Sequence, residues 1–392
     1  MISVQQAKQI IQGSALAPKI VKLPLLEAFG FTLAQDVIAT VDIPNFAQSS
    51  MDGYAVKFKD KDKPLTIIGE MPAGAREQLV IESGQATRIF TGAPLPEGAD
   101  TVIMQEKVAV EDNTLMLQDD NLSPGLNVRP KGAEVKSGEL AMAKGTYLSA
   151  AALGFLAGIG CTHVSVYAAP KVTIILTGNE LQEPGKPLEF GQVYEANSVI
   201  LTAALHKAGI NDITILRSED NPEILAAVLQ QALQSSDIVL LNGGVSVGDY
   251  DYVVGAAQAC GVENKFHKIK QKPGKPLFFG TKKDKLVFGL PGNPSSGLTC
   301  FYEYVLPALE KSMHKEASVI ATIAIATHNY SKPSGLTHFL KAFYKDGKVT
   351  PLHAQESFRL HSFAQANCFI VLPQESTGCV AGDTVEVHLL PL

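Results

Sequence analysis

Three stretches of the chain end apolar, strand-like runs with glycine and polar residues, the arrangement that lets a backbone turn against an anion. Asp237–Leu241 is short and rich in β-branched residues, and it runs into Asn242-Gly243-Gly244, then Ser246-Val247-Gly248-Asp249. Glycines allow a sharp turn and a close approach of backbone to ligand. Successive N–H groups there could cradle an anion, with the Ser246 hydroxyl as a further donor. Asp249, Asp251 and Tyr252 follow directly. A plain tight turn fits this loop equally well when it is taken alone. Two neighbours strengthen the anion reading. Lys171–Leu176 ends in Thr177-Gly178-Asn179-Glu180, and Lys285–Phe288 leads into Gly289-Leu290-Pro291-Gly292-Asn293-Pro294-Ser295-Ser296. Between them, Lys268, Lys270, Lys272 and Lys275 crowd one connector. Acids for a metal beside lysines for phosphates are what a nucleotide-type ligand needs.

The elements that must position these groups alternate. Over 171–317, strand-like runs alternate with helical ones, which predicts a doubly wound parallel sheet. Ligands of such sheets sit beyond the carboxyl ends of the strands, where the three loops would lie. Asn197 is expected to cap a helix over 198–207, and Asp220 to cap the helix opened by Pro222. Upstream, Ser3 and Gln6 suggest a capping box, followed by Ala7, Ile10 and Ile11 at helical spacing. Residues 40–136 change to short strand-like pieces punctuated by Pro and Gly. A small-apolar run, 148–159, reads as a packed helix that would lie on the N-terminal one. Residues 318–392 are strand-rich, with a hairpin at Asp346-Gly347. The expected fold class is thus multidomain: a central doubly wound α/β domain (171–317), an inserted small β module (40–136), a helical linking and dimerisation domain (1–39 with 137–170), and a small C-terminal β-barrel-like domain (318–392).

Length and composition bound the function. A chain of 392 residues exceeds one compact core. A net charge of −6 speaks against nonspecific nucleic-acid binding. Cys161, Cys260, Cys300, Cys368 and Cys379 are scattered without a CxxC pair, as expected of reduced thiols in a cytoplasmic protein. Nothing reads as a signal peptide or a membrane span.

Six motifs occur in order: SSMDGYAV, TGAPLPEGAD, TGNEL, GGVSVGDYDYV, KPGKP and GLPGNPSS. Together they resemble the molybdopterin molybdenumtransferases of the MoeA and gephyrin E-domain type, across essentially the whole chain. The resemblance implies insertion of molybdate into adenylylated molybdopterin, with release of AMP and molybdenum cofactor. It implies a homodimer, each active site lying between the α/β domain of one subunit and the β module of the other. It further implies Mg²⁺, and as partners a molybdopterin adenylyltransferase and apo-molybdoenzymes.

Carried over by motif, Asp52, Glu180, Asp251, Lys272 and Lys275 are the expected catalytic residues, with Glu180 and Asp251 toward the metal. Thr91, Gly92, Glu134, Asp220, Gly243, Gly244, Ser246, Gly248, Lys268, Pro291, Gly292, Asn293, Pro294, Ser357 and Ser362 are the expected substrate-binding residues, and His361 lies beside the last pair. Three positions depart from the family pattern: Glu134 and Asn179 where Asp is commoner, and Glu356 where Gly is commoner. Rival readings are a molybdopterin adenylyltransferase, a gephyrin-like scaffold for a peptide, and a carrier of the finished cofactor.

Overall fold

The computed structural model describes residues 1–14, 16–244 and 252–391. Ser246, Gly248, Asp249 and Asp251 lie outside the described residues. The chain divides into two compact units, 1–21 with 30–32 and 167–392, and 22–29 with 33–166.

The larger unit is built on a six-stranded sheet. Its spatial order is Ile213–Ser218, Val172–Thr177, Ile238–Asn242, Lys285–Leu290, Phe278–Lys282, Glu263–His267. The first four strands are parallel. Phe278–Lys282 runs antiparallel to both of its neighbours, so the sheet is mixed at one edge, as open α/β sheets commonly are. The strand period of two sorts the buried side chains onto two faces. Ile174, Leu176, Leu240 and Phe288 meet the helix Asn197–Ala208 and the helical stretch from Pro294 to Ser312, which contains a π turn at Phe301–Val305. Ile175, Val239, Leu241 and Val287 meet the helices Pro222–Ser235 and Tyr252–Ala259 on the other face. The N-terminal helix Val4–Gly13 starts at the expected capping box of Ser3 and Gln6. Its Ala7 and Ile11 are buried in this α/β core with Val305 and Leu309.

The same unit carries a closed barrel of five strands: Thr337–Lys345, Lys348–Pro351, Ile320–Ala326, Thr384–Leu389 and Cys368–Leu372, the last pairing back to the first. The hairpin at Asp346-Gly347 has both residues at positive φ, 49° and 75°. A two-residue strand, Gln271–Lys272, leaves the α/β domain and adds in parallel to Thr337–Lys345.

The smaller unit centres on six short strands in the order Thr101–Met104, Gly53–Val56, Gln85–Ile89, Leu65–Met71, Thr114–Leu117, Val108–Glu111. Its helix, Ala150–Gly158, is capped by Ser149. No helix among the described residues is long and apolar enough to cross a membrane.

Candidate functional site

The parallel strand order reverses between Val172–Thr177 and Ile238–Asn242, which is where doubly wound sheets open a crevice. A cavity of 680 Å³ lies there. Its walls come from the loops Thr177–Leu181, Asn242–Gly244 and Gly292–Pro294, with Tyr194, Asn197, Asp220 and Tyr252.

Each loop is held by identifiable bonds. The buried Asn242 amide donates to the Pro291 carbonyl at 3.1 Å. Asn197 Nδ2 donates to the Gly292 carbonyl at 2.8 Å. Asn197 is therefore a loop tie; the helix start is instead met by the Glu195 carboxylate, which accepts the Ser198 N–H at 2.8 Å. Asp220 is likewise not the cap of its helix, because Asn221 accepts the Glu223 and Ile224 N–H groups. Freed of that duty, Asp220 faces Asn179: the Asn179 N–H donates to it at 3.3 Å, and its own N–H reaches Asn179 Oδ1 at 3.4 Å.

Gly243 must be glycine. It sits at φ +90°, and a Cβ there would come within 2.3 Å of the Thr177 carbonyl oxygen. Beside it, the Thr177 hydroxyl is buried and has no hydrogen-bond partner among the described residues. A buried, unsatisfied hydroxyl on a cavity wall is a place for a ligand atom. Sequence reasoning assigned none of Thr177, Tyr194 and Asn197 to the site; the orphaned hydroxyl and the loop tie are visible only in three dimensions.

Among the described residues, the connector lysines are not brought to the wall that carries Glu180 and Asp220. The described lining of the large cavity holds Glu180 and Asp220 but no lysine. Lys272 lines a second cavity of 250 Å³, with Pro273, Tyr330, His338, Gln355 and Glu356. Burial, then the charges of Lys332 and Lys272, push the His338 imidazole down to about 4, so the ring is neutral near pH 7. Lys268 and Lys275 stand on the same connector, closed by Lys268 N–H to the Leu277 carbonyl (3.0 Å) and Ile269 N–H to the Lys275 carbonyl (2.9 Å). Ser357 links this side to the large cavity, accepting from Asn293 Nδ2 at 3.0 Å. Ser362 turns inward: it is buried, and its hydroxyl donates to the Ala354 carbonyl at 2.8 Å, which ties the loop internally. Pro291 is buried as well and serves through its carbonyl. His361 is exposed beside Gln365.

In the smaller unit, Asp52 Oδ1 accepts both the Thr91 N–H and the Thr91 hydroxyl, each at 2.7 Å. These bonds, the N–H first, hold its carboxyl below the usual carboxylate range. Gly53 follows because a Cβ there would fall 1.9 Å from the Ile103 carbonyl oxygen. Arg88 packs over Tyr54 and Phe90 and donates to the Gly53 carbonyl at 2.8 Å, which braces the Asp52 turn. Gly92 sits at φ +80°. Glu134 is exposed, its N–H given to the Ile43 carbonyl at 2.8 Å. All five cysteines are free thiols; burial pushes Cys368 up to about 12, which makes it a core residue and not a nucleophile.

No group of three or more His, Cys, Asp or Glu among the described residues could hold a metal ion. Two acids on a cavity wall still suit Mg²⁺, which is commonly held by one or two carboxylates together with substrate phosphates.

Residues 2–160 match the model of the MoeA N-terminal region (domain I and II), 173–311 a probable molybdopterin binding domain, and 324–390 the MoeA C-terminal region (domain IV). Both flanking regions are present, which disfavours the adenylyltransferase reading. The molybdopterin molybdenumtransferase of Haemophilus influenzae is 35% identical, covering 100% of both chains. That of Nostoc sp. PCC 7120 is 35% identical over 94% of this chain and 88% of the relative. Two crystal structures of a molybdopterin biosynthesis MoeA protein from Pyrococcus horikoshii superpose with TM-scores of 0.86 and 0.82, at 31% and 30% identity over 99% of this chain and 99% and 100% of theirs. The chain belongs to the molybdopterin molybdenumtransferase family, transferases of molybdenum cofactor biosynthesis.

Proposed function

We propose that the protein inserts molybdate into adenylylated molybdopterin, cleaving the phosphoanhydride and releasing AMP and molybdenum cofactor. The observation that carries this reading is the 680 Å³ cavity at the sheet's switch point, walled by glycine loops and two acids. The Gly244 backbone N–H and the Thr177 hydroxyl would bind the nucleotide phosphates. The wall Gly292-Asn293-Pro294 would border the base. Lys272, with Lys268 and Lys275 on the same connector, would bind molybdate at the second cavity, and Ser357 would bridge the two sites. Glu180, with Asp220 on the same wall and Asp251 from the loop beyond, would hold Mg²⁺, which offsets phosphate charge and steadies the leaving group. Asp52, kept ionised by Thr91, would orient an oxygen nucleophile, water or a molybdate oxygen, for attack on phosphorus.

We further propose the four modules expected from the sequence, with the helix Val4–Gly13 joined to the α/β domain on which it packs, working as a cytoplasmic homodimer in which Asp52 of one subunit serves the cavity of the other. Five free thiols suit such a reducing compartment. Delivery to apo-molybdoenzymes and receipt of substrate from an adenylyltransferase are the partner roles this reaction requires.

The test is AMP release from adenylylated molybdopterin with and without molybdate. Molybdate-dependent release supports the reading; AMP transfer from ATP to molybdopterin, or no release, sinks it. The shared site has its own test. Mixed dimers of Asp52→Ala and Glu180→Ala subunits should regain activity that neither parent has, and absence of rescue counts against a site built across subunits.

A further inference from the structure

The connector Lys268–Lys275 owes its shape to one buried amide. Gln271 is fully buried. Its Nε2 donates to the carbonyls of Pro273, at 3.0 Å, and Gly274, at 3.3 Å. It also lies 3.6 Å from the Cys300 sulfur, while its Oε1 accepts from the Tyr304 hydroxyl. Cys300 ends the helix that starts at the cavity wall residue Pro294, and Tyr304 stands in the π turn just after it. The packing is close: a Cβ at Gly274 would meet the Cys300 sulfur at 2.5 Å and Gln271 Nε2 at 2.8 Å, and Gly274 holds φ +85°. Gln271 thus clamps the turn between Lys272 and Lys275 and locks it to the helix that borders the large cavity.

A buried glutamine in an otherwise apolar setting costs stability unless all its bonds are made. Here every polar end is used on the lysine turn or its anchor. Two carbonyl oxygens that would repel a nearby anion are held on the amide instead, beside a cavity whose other charged wall residue near Lys272 is Glu356. We propose that Gln271, anchored by Tyr304, is a positioning residue that sets the Lys272–Lys275 turn for oxyanion binding. This rests on the assignment of Lys272 to molybdate made above.

The test uses the full-length protein and molybdate itself, titrated in the AMP-release assay, with thermal melting alongside. The double variant Gln271→Met/Tyr304→Phe replaces both partners by apolar groups of similar shape, a change that can be close to neutral for folding. Because a misplacement of about 1 Å can cost up to ~100-fold, the KM for molybdate should rise roughly 10- to 100-fold, with kcat at saturating molybdate retained. A folded double variant with an unchanged KM, or with kcat lost and KM unchanged, overturns the proposal. Should that variant melt too low to assay, Tyr304→Phe alone removes one hydroxyl; a raised KM supports the clamp, and an unchanged KM overturns it. Lys272→Ala separates the two layers. If it leaves the molybdate KM unchanged, the underlying lysine assignment fails; if it raises KM while the clamp variants do not, only the clamp fails.

Discussion

Gly243→Ala offers the most direct test of the cavity. Two effects add. An L-residue at φ +90° pays the left-handed penalty of roughly 1–2 kcal/mol. The new methyl would also stand 2.3 Å from the Thr177 carbonyl oxygen, whereas ordinary contact begins near 3.4 Å. The oxygen it meets is backbone of the strand Val172–Thr177, and the Gly243 N–H is itself tied to the Leu290 carbonyl at 3.3 Å. No rotamer relieves it, so the Asn242–Gly244 loop must move by about 1 Å, a displacement that costs up to ~100-fold in rate at a positioned site. The expected outcome is a loss of roughly 2–4 kcal/mol in urea unfolding and at least a tenfold drop in molybdate-dependent AMP release. Gly255→Ala is the matched control: it lies in the helix Tyr252–Ala259, where a Cβ meets nothing within 4 Å among the described residues. That exposed substitution should stabilise by about 0.5–1 kcal/mol and leave activity alone. If Gly243→Ala matched Gly255→Ala in both stability and rate, the argument from loop approach would be refuted.

Thr91→Val keeps the N–H bond to Asp52 but removes the hydroxyl one; the Asp52 carboxyl should rise, and the acid limb of the pH–activity profile should move to higher pH. An unmoved limb would separate Asp52 from the rate. Molybdate bound beside Lys272 should raise the His338 value from about 4, since added negative charge favours imidazolium; a ¹H–¹⁵N titration with and without the ion reads this directly. Glu303 is buried between Lys8 Nζ at 2.6 Å and His388 Nδ1 at 2.8 Å. Burial pushes its carboxyl up, but the His388 hydrogen bond and the Lys8 charge outweigh this and hold it below 4.5. Burial pushes His388 down, and the Glu303 bond outweighs that and raises it above 6.5. The Glu303 contribution to stability is therefore present above about pH 4.5 and lost on acidification, while that of His388 is present below pH 6.5 and lost as pH rises through its raised value. His388→Leu should cost about 3–5 kcal/mol at pH 6, with a smaller deficit at pH 9, in denaturant titrations; an equal deficit at both would contradict the pairing.

Much of the α/β domain was legible because burial on both faces writes continuous apolar runs, such as Ile238–Leu241, and because glycine marks their ends. The six strands of the small module were legible from Pro and Gly punctuation. The strands Glu263–His267 and Phe278–Lys282 were not. The turn from Phe278–Lys282 into Lys285–Leu290 places Lys283 at φ +53° without the glycine that advertises a hairpin, and KPGKP disguises the strand start. At the site, residue type showed Glu180, Gly243 and Lys272, but the division into two cavities depends on which way each loop folds. Asn197 and Asp220 carry cap-forming side chains; only the competing bonds of Glu195 and Asn221 show that they are released for other duty. Asn293 to Ser357 joins positions 64 residues apart, beyond the reach of any local pattern.

The short ribbon Gln271–Lys272 grafted onto Thr337–Lys345 makes the barrel a handle on the lysines. A closed barrel has no free edge along which to slide, so it shears little and moves as one piece. Any tilt of that piece is transmitted to Lys272 through backbone bonds, without the slack of a side-chain contact. Slower amide exchange along Thr337–Lys345 when an oxyanion binds is the signature such a linkage would leave.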